Sequence, residues 1–462
     1  MNLLIGFVIL VCLVGSEIQT AEIASDLWMR MLMVGLVSLT VPGLALFQTR
    51  IVSQRFQTGQ LSDAERDSAL RRLSVCHSAV WLTASLAIIW AVRWQDIVRG
   101  NWNLDRWPLL DEILIIAPVI LSLIASWAIF FEIEHAASPR RNGFDLEKFK
   151  RRIEFVSIRV RVYCLMVMIP VSIVVLARDL APWIDSLTLI SQLTLGTCVV
   201  LALVAGFPFL LLMIWKNDSI PDVSLRTELL EECQRNRLFV YDVRQWNTGG
   251  QIANAVVAGL LPRLRVMLLS DRLIQRFSKR ELLAIVRHEA GHLKLCHLPI
   301  RIGFGVLPLI ALSIDEQNSS GLLSVLDVRL SQLGLPLGTG IGLVCVAYVT
   351  YLFLVLPWLS RQMEFEADIY ACQERTNESV KASLNPEFAQ DMTDALLRLA
   401  ALAPSQYRRN TLLHPSIESR TRMLQVIEES PVKAQEFCRA FKRRRRIVLG
   451  MLITACLITL AC

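Results

Sequence analysis

Stretches of uncharged, apolar residues recur along this chain, and few folds can accommodate them. They fall at 3–15, 27–48, 74–92, 110–131, 162–177 and 188–215, then near 300–314 and 340–358, and finally at 447–462. About twenty such residues, wound as a helix, match the hydrocarbon core of a bilayer. The composition agrees: 54% of residues are hydrophobic, only 19% are charged, and mean hydropathy is +0.47. A soluble protein of this size carries about a quarter charged residues. The chain reads as a multi-pass integral membrane protein, mainly α, with a polytopic transmembrane helical bundle. The runs at 3–15, 300–314 and 447–462 are short for a crossing, so the number of spans is nine, give or take about two.

The net charge of +7 does not point to nucleic acid. Its Lys and Arg sit in blocks between the runs, where they orient a membrane protein. Five Arg lie in 49–73 and eight Lys or Arg in 132–161, but 178–187 has only Arg178 and 315–339 only Arg329. Lys442 and Arg443 to Arg446 precede the last run. By the positive-inside rule the Arg-rich loops and both long polar stretches are cytoplasmic, in an inner or plasma membrane. The first run lacks a preceding Lys or Arg and a small-residue cleavage site, so it is expected to remain as a helix. Arg30 is expected to snorkel to the interface, and His77 and His135 to be interfacial. Eleven Cys without a C-x-x-C pair exclude a disulfide scaffold, and Cys296 is expected to be a packing residue.

The polar stretches carry the chemistry. His288-Glu289-Ala290-Gly291-His292 has the spacing His-Glu-x-x-His. On a helix it sets two imidazoles one turn apart on a single face, where both reach one zinc ion, with the Glu placed to take a proton from water. Chance supplies the pattern in roughly one chain of this length in a hundred. Ser278 and Glu281 form a capping box before it, and Leu282, Leu283, Ile285 and Val286 give the apolar periodicity of a helix. The motif therefore sits about ten residues into a well-started helix.

A catalytic zinc takes a third protein ligand. His297 follows His292 by five residues, which is poor spacing for sharing one metal on a helix; it is expected to end or cap the helix, or to hydrogen-bond nearby. Glu364 and Asp368 are the better pair. Four apart, they share a helix face, so Glu364 can complete a His-His-Glu site and Asp368 can accept an N–H from a ligating imidazole. Glu366 falls on another face and is expected to be solvated.

These segments, taken in order, resemble the integral-membrane zinc metallopeptidases that include HtpX-type proteases and CAAX prenyl proteases, gluzincins in which a distant Glu is the third ligand. The resemblance rests on Asn254-Ala255 with Gly259 and Pro262, on Leu268 to Leu273, on the His288–His292 motif with His297 trailing, on Ser360-Arg361 through Glu364 to Asp368, and on His414-Pro415 with Glu418 and Arg420. It implies one zinc per chain on His288, His292 and Glu364, and Glu289 as the catalytic base. It also implies that Asn254 and His414 lie near the substrate and help to stabilise the tetrahedral intermediate. The first 215 residues carry no such resemblance.

The expected organisation is an N-terminal transmembrane region at 1–215, a catalytic segment at 216–299, a transmembrane hairpin at 300–358, a second catalytic segment at 359–446 and a last transmembrane run at 447–462. The two catalytic segments are expected to form a small α+β zincin-like cytoplasmic domain. Residues 251–257 read as a strand whose open edge binds substrate. The expected function is zinc-dependent endopeptidase action on membrane or membrane-proximal proteins, in quality control. A CAAX-type processing peptidase for lipidated tails and a protease-domain signal transducer are the alternatives. Partners are protein or peptide substrates and the lipid bilayer, with no nucleic acid.

Overall fold

The computed structural model describes residues 4–6, 8–9, 12–13, 27–58, 63–107, 109–134, 146–180, 188–315, 322–333, 339–375, 380–402, 405–411 and 413–461. His135 and parts of the first apolar run and of the 315–339 segment lie outside them. The chain divides into two compact units, Met1–Lys216 and Asn217–Cys462.

The first unit is helical. Four of its segments are long and apolar enough to cross a bilayer: Leu27–Arg55, Arg72–Ala91, Leu110–Ile133 and Leu146–Ile173. A fifth span results if Thr194–Leu203 and Ala205–Ile214, which meet at 43°, act as one. Pro208 accounts for that bend, because its ring clashes with the carbonyl four residues earlier, that of Val204. The helices are stitched by indoles as well as by packing. Trp81, 1% exposed, donates its Nε1–H to the Val119 carbonyl at 2.9 Å, and Trp94 donates to Leu114 at 2.9 Å.

Several expectations for this unit are corrected. Arg30 turns inward instead of snorkelling: its guanidinium donates to the carbonyls of Val92 and Arg93 at 2.9 and 2.6 Å and meets Asp96 at 3.3 Å. There it satisfies backbone carbonyls where the π turn Ala87–Ala91 breaks off. His77 is buried edge-on against Phe130. The basic 132–161 segment is also more than a loop, since Leu146–Arg159 is helical and runs through a π turn into the next apolar run. Glu132 pairs with Lys148 and Arg152, and Arg159 stacks on Phe155.

The second unit is α+β. Its four-stranded sheet has the order β1-β2-β4-β3, with β1 at Asn217–Ser219, β2 at Asp242–Trp246, β3 at Ala255–Ala258 and β4 at Val266–Ser270. Strand β4 is buried at all five residues, which is why it reads as an unbroken apolar run. It pairs parallel with β2 and antiparallel with β3, placing Met267 between Val243 and Val257. β3 is a sheet edge. The strand expected from residue 251 starts only at Ala255, because Asp271 captures the preceding turn. Its carboxylate accepts from the Thr248 hydroxyl at 2.6 Å and from the Thr248 and Gly250 N–H groups. Gly249 and Gly250 take the positive φ that this turn requires.

Helix Lys279–Lys294 packs on the sheet through Leu282, Val286 and Ala290. Helices His297–Asp315 and Thr339–Ala371 follow. The Tyr348 and Tyr351 hydroxyls on the second donate to carbonyls of Gly305 and Phe304 on the first, each at 2.7 Å. Pro386–Leu402, Ile417–Glu429 and Pro431–Ala461 complete the unit.

Arg287, on the buried side of Lys279–Lys294, ties these layers together. It is 4% exposed, donates to the Ala371 carbonyl and to Asp391 at 3.1 Å each, approaches Glu232 at 3.6 Å and lies over the Phe388 ring. Removing one member of a buried charge cluster leaves the others unpaired. Arg287→Met is expected to destabilise the second unit by roughly 3 kcal/mol or more, read as a lowered Tm of the purified protein. An unchanged Tm contradicts this role.

Candidate metal centre

Ser278 starts the motif helix with a complete capping box: its hydroxyl accepts the Glu281 N–H, and the Glu281 carboxylate accepts the Ser278 N–H. Glu281 is then clamped by Arg398 at 2.7 and 2.9 Å. From that fixed start, His288 and His292 emerge one turn apart with their Nε2 atoms 3.1 Å from each other. Helix Thr339–Ala371 crosses in front of them and supplies Glu364, whose carboxylate oxygens lie 3.6 Å from His288 Nε2 and 3.4 Å from His292 Nε2. One donor atom from each residue falls within a common 4.8 Å. Bonds of about 2.0–2.1 Å in tetrahedral geometry need donors about 3.3 Å apart. The three side chains therefore fit a divalent metal.

Gly291 makes the crossing possible. A Cβ at this position would stand 3.0 Å from Tyr370 Cδ1, 3.1 Å from Tyr370 Cβ and 3.2 Å from Ala367 Cα. Any side chain here pushes helix Thr339–Ala371, and Glu364 with it, away from the imidazoles.

A ring of charge surrounds the triad. Asp368 Oδ1 lies 2.9 Å from His288 Nδ1, and Arg420 grips Asp368 through two bonds of 2.8 and 2.6 Å. His414 Nδ1 stands 3.0 Å from Glu364, Arg420 3.5 Å and Arg301 3.7 Å. Burial by itself pushes the Glu364 carboxyl up, but the imidazoles of His288, His414 and His292 hold it well below the usual carboxylate range. Asp368 likewise stays low, burial being outweighed by Arg420. Burial disfavours a charged His288, yet Asp368 and Glu364 raise it to about 9. His292 meets no such direct carboxylate at Nδ1, and burial takes it well below the usual value. Burial lifts the Glu289 carboxyl to about 7.

His288, Glu289, His292, Arg301, Glu364, His414 and Arg420 border one cavity of about 610 Å³, lined on the strand side by Gln251 to Val257 and opposite by Met392, Leu396, Leu399 and Leu402. Asn254 is exposed on the strand wall and is held by its main chain, which exchanges two hydrogen bonds with Ser270. His414, at 57% side-chain exposure, stands at the opening. Of the site residues expected from the sequence, His288, Glu289, His292, Glu364, Asn254 and His414 line this space, and Asp368 lies behind His288.

Two features depart from expectation, and a third follows one of the alternatives. Glu366 is not solvated: it is 3% exposed and 3.2 Å from His297 Nε2. His297 hydrogen-bonds nearby, as one expectation had it: it begins the next helix, fully buried, with Nδ1 2.8 Å from His292 Nδ1. Cys296 does not pack; it is exposed at a left-handed turn of φ 56° that swings His297 back under the motif helix. Arg301 had no signal in the sequence beyond an ordinary arginine, and Arg420 entered only through the family resemblance, with nothing to show its clamp on Asp368.

Gly291→Ala is expected to lower the metal content of the purified protein severalfold while leaving its helical circular dichroism intact. Full metal content in that variant contradicts the close-approach account.

Residues 235–428 match the model of Peptidase family M48, a stretch that holds the edge strand, both histidines of the motif, Glu364, Asp368, His414 and Arg420. Among solved structures the chain is similar to Ste24p of S. mikatae, at 15% identity over 88% of this chain and 100% of that chain, with a TM-score of 0.42. No curated protein sequence matches it. The M48 match thus lies around a His-His-Glu group able to hold a metal ion, in a chain whose described residues include at least four helices long and apolar enough to cross a bilayer.

Proposed function

We propose that this protein is a zinc-dependent endopeptidase that hydrolyses peptide bonds of membrane or membrane-proximal proteins at the cytoplasmic face, in a quality-control role. The observation that carries the reading is the convergence of His288, His292 and Glu364 beside Glu289 on the wall of a cavity bordered by a sheet edge. Two imidazoles and one carboxylate suit zinc, and three protein ligands leave a position open, as catalytic sites do.

Bound there, zinc supplies Lewis acidity that polarises the scissile carbonyl and makes water a competent nucleophile near neutral pH. Glu289 takes the proton of the attacking water and hands it to the leaving amine. His414 donates to the oxygen on which negative charge grows, a contribution of typically about 3 kcal/mol to the barrier. Asp368 and Arg420 hold His288 in the tautomer that keeps Nε2 free. Asn254 and the β3 edge hold the substrate chain extended, with main-chain hydrogen bonds that tolerate many sequences. The apolar wall opposite accepts the hydrophobic side chains in which membrane segments abound. The Arg-rich loops support a cytoplasmic catalytic unit.

Glu289→Gln is expected to keep its zinc and lose peptide cleavage by at least about 100-fold, the range expected of a general base; cleavage near the wild-type rate removes Glu289 from the mechanism. Incubation with phenanthroline is expected to abolish cleavage of an unstructured peptide, and added zinc to restore it. Cleavage indifferent to the chelator contradicts the zinc assignment.

A further inference from the structure

The two imidazoles of the motif are supported differently, and the second support has no assigned role. His288 Nδ1 faces Asp368 directly at 2.9 Å, with Arg420 behind the carboxylate. His292 Nδ1 faces another imidazole: His297 Nδ1 at 2.8 Å. Beyond that ring, His297 Nε2 lies 3.2 Å from Glu366 Oε2, and Arg445 of the last helix approaches the same oxygen at 3.6 Å. His297 and Glu366 are 0% and 3% exposed. Such burial of a carboxylate and two rings is costly unless the hydrogen bonds between them are made.

The polarity of this chain follows from its far end. A carboxylate only accepts, so the contact with Glu366 places a proton on His297 Nε2. With one proton on the ring, His297 Nδ1 is left as an acceptor. The 2.8 Å contact is then a hydrogen bond only if His292 carries its proton on Nδ1. That tautomer leaves His292 Nε2 as a lone pair, and Nε2 is the atom turned toward His288 and Glu364. A reversed chain would protonate His292 Nε2 and close it to a metal.

We propose that His297 and Glu366 are positioning residues for the metal centre: Glu366 sets the tautomer of His297, and His297 in turn sets the tautomer and ring orientation of His292. The inference rests on the zinc-site reading above. It makes the two ligands equivalent in design, each imidazole backed by a carboxylate and an arginine, one directly and one through an interposed ring. The interposed ring is needed because Glu364 and Glu366 are two apart on one helix and project to different sides, so Glu366 reaches His292 only through His297.

Isosteric substitutions on the full chain, purified in detergent, test this with zinc itself as the probe. Asn at 297 puts an amide oxygen where His297 Nδ1 stands, whereas Gln puts its amide where Nε2 stands and leaves His292 Nδ1 without an acceptor. Zinc affinity, measured by competition with a chromophoric chelator, is expected to stay within about threefold of wild type in His297→Asn. It is expected to weaken ten- to a hundredfold in His297→Gln, the usual cost of losing such a support. Glu366→Gln, which still accepts from His297, is expected to retain affinity, and the similarly shaped Glu366→Met to lose it. This second pair decides the matter should a 297 variant not fold. A packing role would instead favour the bulkier Gln over Asn at 297 and treat Gln and Met alike at 366. Either pattern overturns the proposal, as do affinities equal to wild type throughout. A wild-type protein that binds no zinc overturns both this inference and the reading beneath it, whereas wild-type binding with insensitive variants overturns this inference alone.

Discussion

The metal centre depends on how closely two helices pass. Lys279–Lys294 carries the imidazoles and Thr339–Ala371 carries Glu364, and they meet where Gly291 lies against Ala367 and Tyr370, so close that a methyl group would have to push them apart. That contact lets a carboxylate more than seventy residues away in sequence come within 3.4–3.6 Å of both imidazole nitrogens. The rest of the second unit holds the crossing in place. The capping box and Arg398 fix the start of the first helix, Arg287 fixes its buried flank to the end of the second, and the tyrosine hydroxyls tie the second to helix His297–Asp315.

The same crossing explains why so many charged and titratable groups are buried together. Glu364, Asp368, Arg420 and His288 would each be costly alone in the interior, and none is alone. Such a cluster adds little net stability, but it fixes geometry: every carboxylate oxygen in it has a cationic or imidazole neighbour at a definite distance. Order of this kind is what a metal site needs before the metal arrives.

Most of this centre was legible in the sequence because it is local. Spacing within one helix turn reveals His288 with His292 and Glu364 with Asp368, and Ser278 with Glu281 announces where the motif helix starts. Hydropathy likewise locates runs that overlap the four helices long and apolar enough to cross a bilayer among the described residues. What could not be read is tertiary. Glu366 looked solvated because it leaves the Glu364 face, yet helix Thr339–Ala371 is covered on that side too, by the last helix with Phe441 and Arg445. His297 was left between ending the helix and hydrogen-bonding nearby because nothing local shows that Cys296 takes a left-handed turn. The start of β3 was missed by four residues because the capture of Thr248 and Gly250 by Asp271 spans over twenty positions. Arg30 was misjudged because its acceptors, Val92 and Arg93, lie some sixty positions later, in the break after the π turn Ala87–Ala91.

X-ray absorption at the metal edge of the purified, zinc-loaded protein tests the central claim most directly. The account predicts one zinc per chain in a shell of nitrogen and oxygen only, two imidazoles among them, at about 2.0–2.2 Å, with one oxygen scatterer altered in Glu364→Ala. A sulfur scatterer in that shell, or a spectrum that Glu364→Ala leaves unchanged, contradicts it.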